Sequence, residues 1–499
     1  MVNATWAQGL DVAGLFTEQK YSSSVLLIVF ASIVHLIFLR RPSVIRDKDG
    51  KPIKELKANA RVMKFALSAE LSKQGRELAG DAPYVIHNGQ SRELVITQPD
   101  HLKDFYKNDT QHHPKPANLN MGAYFGRILG HAVGVQAGER WKIIRKYFDP
   151  GFAFRVTVAA MPRTLDLVNQ WADQLIQHSI SLSKPTASKS FTTDVQSVGK
   201  FLPFKIVSQQ LYGQVFNEEF FSKLLEMNSL HEEILHDVLL NQRLTSKFWN
   251  LLPSKASRRM DEYNRRWKKF NLDAIALARK QTLDCPLERI YRGVDQNNEL
   301  EELEFLHTVD EILYTNVEIS AAVLKTLFTR LAEDQAFQQS LRSEIISQTA
   351  AKDFDLAKYV AKTDSMLNFL VMESMRHTPA FWFSLPECTA VAKTIGGYQV
   401  PANTAVVIDS GRLNKEAVTW GVDGHDFRPE RFKEIPQSKC RYGFMKFGAG
   451  GASGRCLGKH VADITFKLTI IAVLKKFSLE TPKDEVLAAT PAAVTFSPN

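Results

Sequence analysis

Sulfur is scarce in this chain: four cysteines in 499 residues, Cys285, Cys388, Cys440 and Cys456, and none at the spacing of a disulfide framework. The body is therefore expected where thiols stay reduced, and each cysteine has to be judged alone. Internal repeats and low-complexity tracts are missing too. With 44% hydrophobic and 23% charged residues, the composition is that of a globular protein with a sizeable core, which sets disorder aside. The net charge of +9 lacks the layout of a nucleic-acid binder. Basic and acidic residues are mixed along the whole chain, with no basic arm and no aromatic–basic alternation, so no nucleic-acid partner is expected.

Long apolar runs are also missing, with one exception. Tyr21 to Leu39, YSSSVLLIVFASIVHLIFL, carries no acidic or basic residue except His35, and its length is close to the roughly 20 residues a helix needs to cross a bilayer. Arg40, Arg41, Arg46, Lys48 and Lys51 follow it, whereas only Lys20 precedes it, near Asp11 and Glu18. The positive-inside rule then puts residues 1–20 in the lumen and the body in the cytosol, as a single-pass protein of the endoplasmic reticulum membrane. A cleaved signal peptide fits less well, since it wants a positive n-region and a small-residue cleavage site. Residues 40–60, with KDGKPIKELK, read as a charged linker, and 61–499 as one domain.

Helical periodicity dominates that domain. It predicts helices over 139–147, 161–180, 218–240, 258–282, 302–333, 364–377 and 459–477. Strand signals are few: PYVIHNG and SRELVITQ near 83–98, then TIGGYQVP and TAVVID between 394 and 409. The expected fold class is mostly α with a small segregated β-sheet, α+β. The longest helix has neither Gly nor Pro after Leu303, and its middle holds a polar knot, TNVEIS, at 315–320. Such a knot inside a core helix needs partners or a chemical role.

The loop FGAGGASGRCLG, 447–458, packs five glycines around Cys456. A phosphate cradle fails, because Ser453 stands where a glycine is needed and His460 where Ser or Thr is needed. Zinc is short of ligands: Cys456, His460 and Cys440 leave a fourth position unfilled. Two readings stay open from the loop alone. In one, Cys456 is the thiolate ligand of a haem iron. Glycines would then let backbone approach a flat macrocycle, and the following helix would point its positive end at the sulfur. In the other, it is an inert cysteine in a turn.

Further segments, in order along the chain, resemble the cytochrome P450 superfamily. LVMESMRHTP puts Glu373 and Arg376 three apart on one helix face, and HDFRPERF puts Arg431 at the third place of the family's Glu-Arg-Arg cluster. GERWKIIRKYFDP spaces Trp141 and Arg145 like the family's pair at a haem propionate. The anchor and the long central helix complete the set. The resemblance implies a P450 fold and a haem-thiolate monooxygenase with haem b held by Cys456, Trp141, Arg145 and Phe447. It implies O2, electrons from NADPH through NADPH–cytochrome P450 reductase, and a lipophilic substrate. Arg140, Lys142, Arg145, Lys146, Lys439, Arg441, Lys446 and Lys459 are expected to form a basic rim for that partner.

The chain departs from the family pattern in three places. Eight residues separate Phe447 from Cys456 where the family usually has six, and Gly454 takes the place of an arginine. Pro386 stands where a second propionate arginine is expected, which leaves the haem carboxylates short of assigned partners. In TNVEIS the acid is kept as Glu318, but Ile319 and Ser320 replace two threonines. Thr315, one turn before Ile319, is expected to supply the missing hydroxyl, with Glu318 and with Asn316 or Ser320 completing a proton path. Residues 118–125, 379–385 (with Phe381, Trp382 and Phe383) and 494–497 are expected at the substrate. The spelling GGASGRCLGKHVAD resembles fungal enzymes of secondary metabolism, which points to a polycyclic terpenoid. An indole alkaloid, a polyketide, or an isomerase or lyase needing no reductase are the alternatives.

Overall fold

The computed structural model describes residues 44–107, 113–180, 190–448 and 455–499. The apolar run 21–39 and the tail before it lie outside them, and among the described residues no helix is long and apolar enough to cross a membrane.

The helices that position the site are α1 (Gly138–Phe152), α2 (Met161–Gln174), α3 (Leu202–Tyr212), α4 (Glu218–Leu240), α5 (Lys255–Gln281), α6 (Glu302–Glu333), α7 (Gln335–Ala350), α8 (Met366–His377) and α9 (Lys459–Lys476). Helix α6 is the axis. Its 32 residues contain no helix breaker and span about 48 Å at 1.5 Å per residue. A capping box starts it, with the Glu301 amide donating to Glu304 Oε2 at 2.9 Å and the Glu301 side chain capping the first turn in return. Asp334 stops it and caps α7, accepting from the Phe337 amide at 2.9 Å. Leu313, Val317, Leu324, Leu327 and Phe328 on α6 are fully buried, so the core forms around this helix on both sides.

Among the described residues the strands form three small sheets. Five strands, β2 (Glu55–Asn59), β3 (Tyr84–Asn88), β4 (Ser91–Ile96), β9 (Ala405–Ile408) and β6 (Glu387–Cys388), pair in the order β2-β3-β4-β9-β6. Strands β4 and β9 run parallel with Leu94 opposite Val406, so distant parts of the chain meet there. A second sheet joins β1 (Arg46–Asp47), β8 (Tyr398–Val400) and β7 (Lys393–Ile395). The third joins β10 (Phe477–Glu480), β11 (Ala493–Pro498) and β5 (Phe191–Asp194).

Mostly helical with small sheets is what the pattern implied, but two expectations change. Residues 46–47 and 55–59, read as linker, are strands: their charged side chains stay at the edges of sheets whose ladders accept them. The described strands make three sheets where one was expected, and Phe477, read as the end of the last helix, is the first residue of β10.

Candidate active site

A cavity of about 360 Å³ lies between α6, the segment leading into α9, the end of α8 and strands β6 and β9. It gathers Cys456, Phe447, Trp141, Arg145, Thr315 and Ser320 from different elements onto one wall system. Of the four cysteines, Cys285 and Cys388 are buried and Cys440 is half-buried, while Cys456 has open surface toward the cavity, deep enough in the protein for its sulfur to be desolvated.

The turn around the sulfur has a local cause. Phe447 and Gly448 take φ of 55° and 90°, the left-handed region that reverses the chain. The Cys456 amide then donates to the Phe447 carbonyl at 2.9 Å, closing the base of the loop. Helix α9 begins three residues after the cysteine, with Gly458 at its N-cap. Burial pushes the Cys456 thiol up, while the Gly458 amide hydrogen bond and the Arg145 guanidinium pull it the other way. Trp141 and Arg145, one turn apart on α1, are packed against each other, with the guanidinium carbon 5.4 Å from the ring centroid. Arg145 Nη1 donates to the Arg455 carbonyl at 3.1 Å, and its Nε lies 2.5 Å from Asp149. This arginine ties α1 to the residue before the cysteine.

Behind the loop stands the predicted cluster. Glu373, Arg376 and Arg431 are all fully buried. Arg376 grips the carboxylate with two bonds of 2.7 Å, and Arg431 Nε adds one of 3.0 Å. Burial alone would raise the Glu373 pKa; the bonds from Arg376 and His377 overcome it and hold it at about 2. Arg376 also donates to the Asn414 carbonyl at 2.8 Å, and Asn414 Oδ1 takes the Met445 amide at 2.8 Å. The cluster thus reaches the chain two residues before Phe447.

Helix α6 shows the cavity one stripe: Glu311, Ile312, Thr315, Asn316, Ile319, Ser320 and Val323. The Thr315 hydroxyl donates back to the Glu311 carbonyl and the Ser320 hydroxyl to Asn316 Oδ1, which leaves Asn316 Nδ2 buried with no partner. Glu318 is not brought to this wall. At about 100° per residue it falls roughly a third of a turn off the stripe's centre. Its side chain is 64% exposed and pairs with Lys200 at 2.7 Å.

Three side chains missed in the sequence do face the cavity: Glu311, Lys115 and Glu387. Glu311 Oε2 accepts from the Gly134 amide at 2.9 Å; burial raises its pKa, with that amide and Lys115 opposing. The one-turn spacing from Thr315 was the signal that could have found it. Burial pushes Glu387 up to about 7, with Lys115 opposing. Among the expected substrate contacts, Pro379, Ala380, Phe381, Ser384 and Leu385 line the cavity. Trp382 and Phe383 pack under the five-stranded sheet instead. Residues 118–125 and 494–497 are not part of the wall; the latter belong to β11.

The helix α1 half of the expected basic rim is neutralised. Arg140 bonds Glu304 at 2.7 Å, Lys142 pairs with Glu139 at 2.5 Å, and Lys146 with Glu299 at 2.6 Å. Lys446 is half-buried with its amine against Met372. Neighbouring carboxylates therefore cancel the charge on the helix α1 side of the surface.

The residues present fit a haem. One thiol opens on the cavity, backbone with positive φ lies beside it, and an arginine and a half-buried lysine, Lys115, stand at the wall to meet carboxylates. Comparisons with known proteins agree. The family model described as Cytochrome P450 matches residues 79–497. The cytochrome P450 monooxygenase apdB of Emericella nidulans is 48% identical over 475 residues, covering 92% of this chain and 92% of the relative. The cytochrome P450 monooxygenase opdB of Penicillium oxalicum is 44% identical, with 96% and 95% covered. The cytochrome P450 monooxygenase lepD of Aspergillus flavus is 40% identical, with 93% and 91% covered.

Proposed function

The chain belongs to the cytochrome P450 family, and from that premise we propose that Cys456 ligates haem b in a monooxygenase of fungal secondary metabolism, with a polycyclic terpenoid as substrate. The enzyme class and its requirements are those of the family: a thiolate-ligated haem b, O2, a redox partner and a lipophilic substrate. The apolar wall of Val207, Ile312, Ile319, Val323, Leu385 and Ile408 supports a lipophilic substrate, and the narrower class rests on the loop spelling GGASGRCLGKHVAD. For the redox partner we name NADPH–cytochrome P450 reductase, and for the location the endoplasmic reticulum membrane, held by residues 21–39. The asymmetry of charge about that run supports the orientation.

When bound, the haem supplies the oxygen-activating chemistry, with thiolate ligation pushing electron density toward the metal. The chain's own residues prepare the site. The Gly458 amide and the N-terminal end of α9 favour the sulfur as an anion. Trp141 and Arg145 orient the cofactor's edge, and the Glu373 cluster keeps the Cys456 turn in one shape. Thr315 Oγ1, Ser320 Oγ and the Asn316 amide hold the protons nearest the reacting end of the cavity, and Glu311 takes the acid's role in place of Glu318. Ile319 keeps the rest of that stripe dry.

The observation that carries this reading is that Cys456 opens on the same cavity as Trp141, Arg145 and the α6 stripe. The test is the absorption spectrum of the reduced, carbon-monoxide-bound protein. The wild type should show the thiolate-type Soret band and Cys456→Ala should lose it; identical spectra overturn the assignment. NADPH- and reductase-dependent oxidation across a terpenoid panel tests the substrate. Resistance of the full chain to carbonate extraction from microsomes tests the anchor.

A further inference from the structure

Buried asparagines in this protein give away their side-chain protons. On α5, Asn271 donates to the Trp267 carbonyl at 2.9 Å and accepts from the Tyr212 hydroxyl at the same distance. Asn228 donates to Glu232 at 2.9 Å, Asn88 to Glu93 at 3.2 Å and Asn414 to the Arg376 carbonyl at 3.3 Å. Asn316 breaks the rule. Its Nδ2 is buried, and among the described residues it meets no acceptor. Of these asparagines it alone lines the cavity of Cys456. A buried amide without an acceptor is costly, so the exception calls for a partner that the chain does not itself supply.

The amide is also held in one orientation. Ser320, one turn further along α6 and itself buried, donates its hydroxyl to Asn316 Oδ1. With the oxygen engaged in this way, the nitrogen and its two donor positions are fixed on the opposite side of the planar group. The neighbours on the stripe do not take those protons. Ile312 and Ile319, on the turns before and after, carry no acceptor in their side chains. The Thr315 hydroxyl turns back to the Glu311 carbonyl. A donor of set direction thus stands in an otherwise apolar stretch of the wall.

We propose that Asn316 reads the substrate: its Nδ2 donates to an oxygen that only accepts, a carbonyl carried on the substrate's ring skeleton. This rests on the haem-thiolate reading above and narrows the substrate to a ring compound with a ketone, lactone or lactam carbonyl. A hydroxyl fits less well, because its own proton would then be left against Ile312 and Ile319. A site with a donor already in place rejects the analogue that lacks the matching oxygen, since the donor is then left unpaired. Asn316 touches the substrate and sets where it lies in the cavity. Ser320 is a positioning residue that acts through the amide.

The probes are androstane and the two ketones that carry a carbonyl on its first or its last ring. Each is titrated into the holoenzymes of wild type, Asn316→Leu, Ser320→Ala and Ser320→Thr, and the dissociation constant is read from the shift of the Soret band with spin state. Comparing ketone with hydrocarbon inside each protein cancels what it costs to take the carbonyl out of water. For at least one ketone, the ratio of its constant to that of androstane should rise about tenfold from wild type to Asn316→Leu. Ser320→Ala should raise the ratio part of the way, since the amide is then free to turn, and Ser320→Thr should restore it. A ratio that stays level for both ketones overturns the proposal. Equal weakening of ketone and hydrocarbon would make Asn316 a packing residue and overturns it too. A level ratio with more peroxide released during turnover would assign the amide to oxygen chemistry, and overturns it as well. The reduced carbon-monoxide spectrum is recorded on the same samples, and a thiolate-type band keeps the haem-thiolate reading standing whichever way the ratios fall.

Discussion

Replacing Arg376 by methionine removes the centre of the buried charge cluster while keeping much of the side chain's volume. Arg376 makes two 2.7 Å bonds to Glu373 and further bonds to the carbonyls of Asn414, Gly424 and Asp426. Without it Glu373 keeps only Arg431, His377 and the Arg428 amide at 2.8 Å. Breaking a buried pair from one side costs about 3–5 kcal/mol. Against burial, Arg376, His377 and the Arg428 amide together lower the pKa of Glu373, which gives a figure of the same order. A carboxyl held at about 2 instead of 4.5 stabilises the charged form by roughly 3 kcal/mol at 1.36 kcal/mol per pH unit. The lowered pKa sets the sign. The contribution is complete above pH 4.5, and it is lost as pH falls toward 2. Urea unfolding of the holoenzyme, followed by circular dichroism and by the Soret band, measures it. With m near 3 kcal/mol/M, the midpoint of Arg376→Met at pH 7 should fall by about 1–1.7 M, and the gap from wild type should narrow below pH 4.5. A deficit under about 1 kcal/mol, or one independent of pH, would show that the cluster is not held together by charge. The Soret band should broaden before the helices unfold, because Asn414 links Arg376 to Met445 ahead of the cysteine turn.

Other perturbations probe the same geometry. Glu318→Gln should leave coupled turnover within about twofold of wild type, since that carboxylate is solvent-exposed and screened; Glu311→Gln and Thr315→Val should each lower the ratio of product to peroxide about tenfold, and the reverse order would reinstate Glu318. Gly75→Ala drives a Cβ into the ring of fully buried Tyr84. The overpacking cost of about 1–3 kcal/mol or more outweighs the roughly 1 kcal/mol of helix propensity gained, so the thermal midpoint should drop; a rise would refute the packing. Cys440→Ala should leave the reduced carbon-monoxide spectrum unchanged, because that half-buried thiol is outside the cavity wall; a lost band would move the ligand to position 440.

What the sequence made legible was what local rules control. Helices α4 and α6 begin and end where the pattern put them, because Asn217 and the Glu301–Glu304 pair cap them and polar residues close them. The strand pair at 84–96 was readable from two short runs with β-branched residues on either side of the turn at Asn88 and Gly89. Strands β1 and β2 were not, being short, charged and dependent on partners far along the chain. The site divides in the same way. Cys456, Trp141, Arg145 and Thr315 share a cavity, as the family resemblance implied, but Glu318 was placed by its position in a motif when the helical angle turns it outward. Lys115 and Glu387 line one cavity from places some 270 residues apart in the chain, and no local pattern marks such a convergence.

The parallel pairing of β4 with β9 carries a consequence for biosynthesis. Residues 93–96 leave the ribosome about 310 residues before 405–408, a delay on the order of a minute at 5 residues per second. Throughout that interval one rim of the early hairpin is unpaired, apolar and able to capture a neighbouring nascent chain. Yield in a foreign host should therefore depend on chaperone supply and translation speed more steeply than on the finished enzyme's resistance to heat.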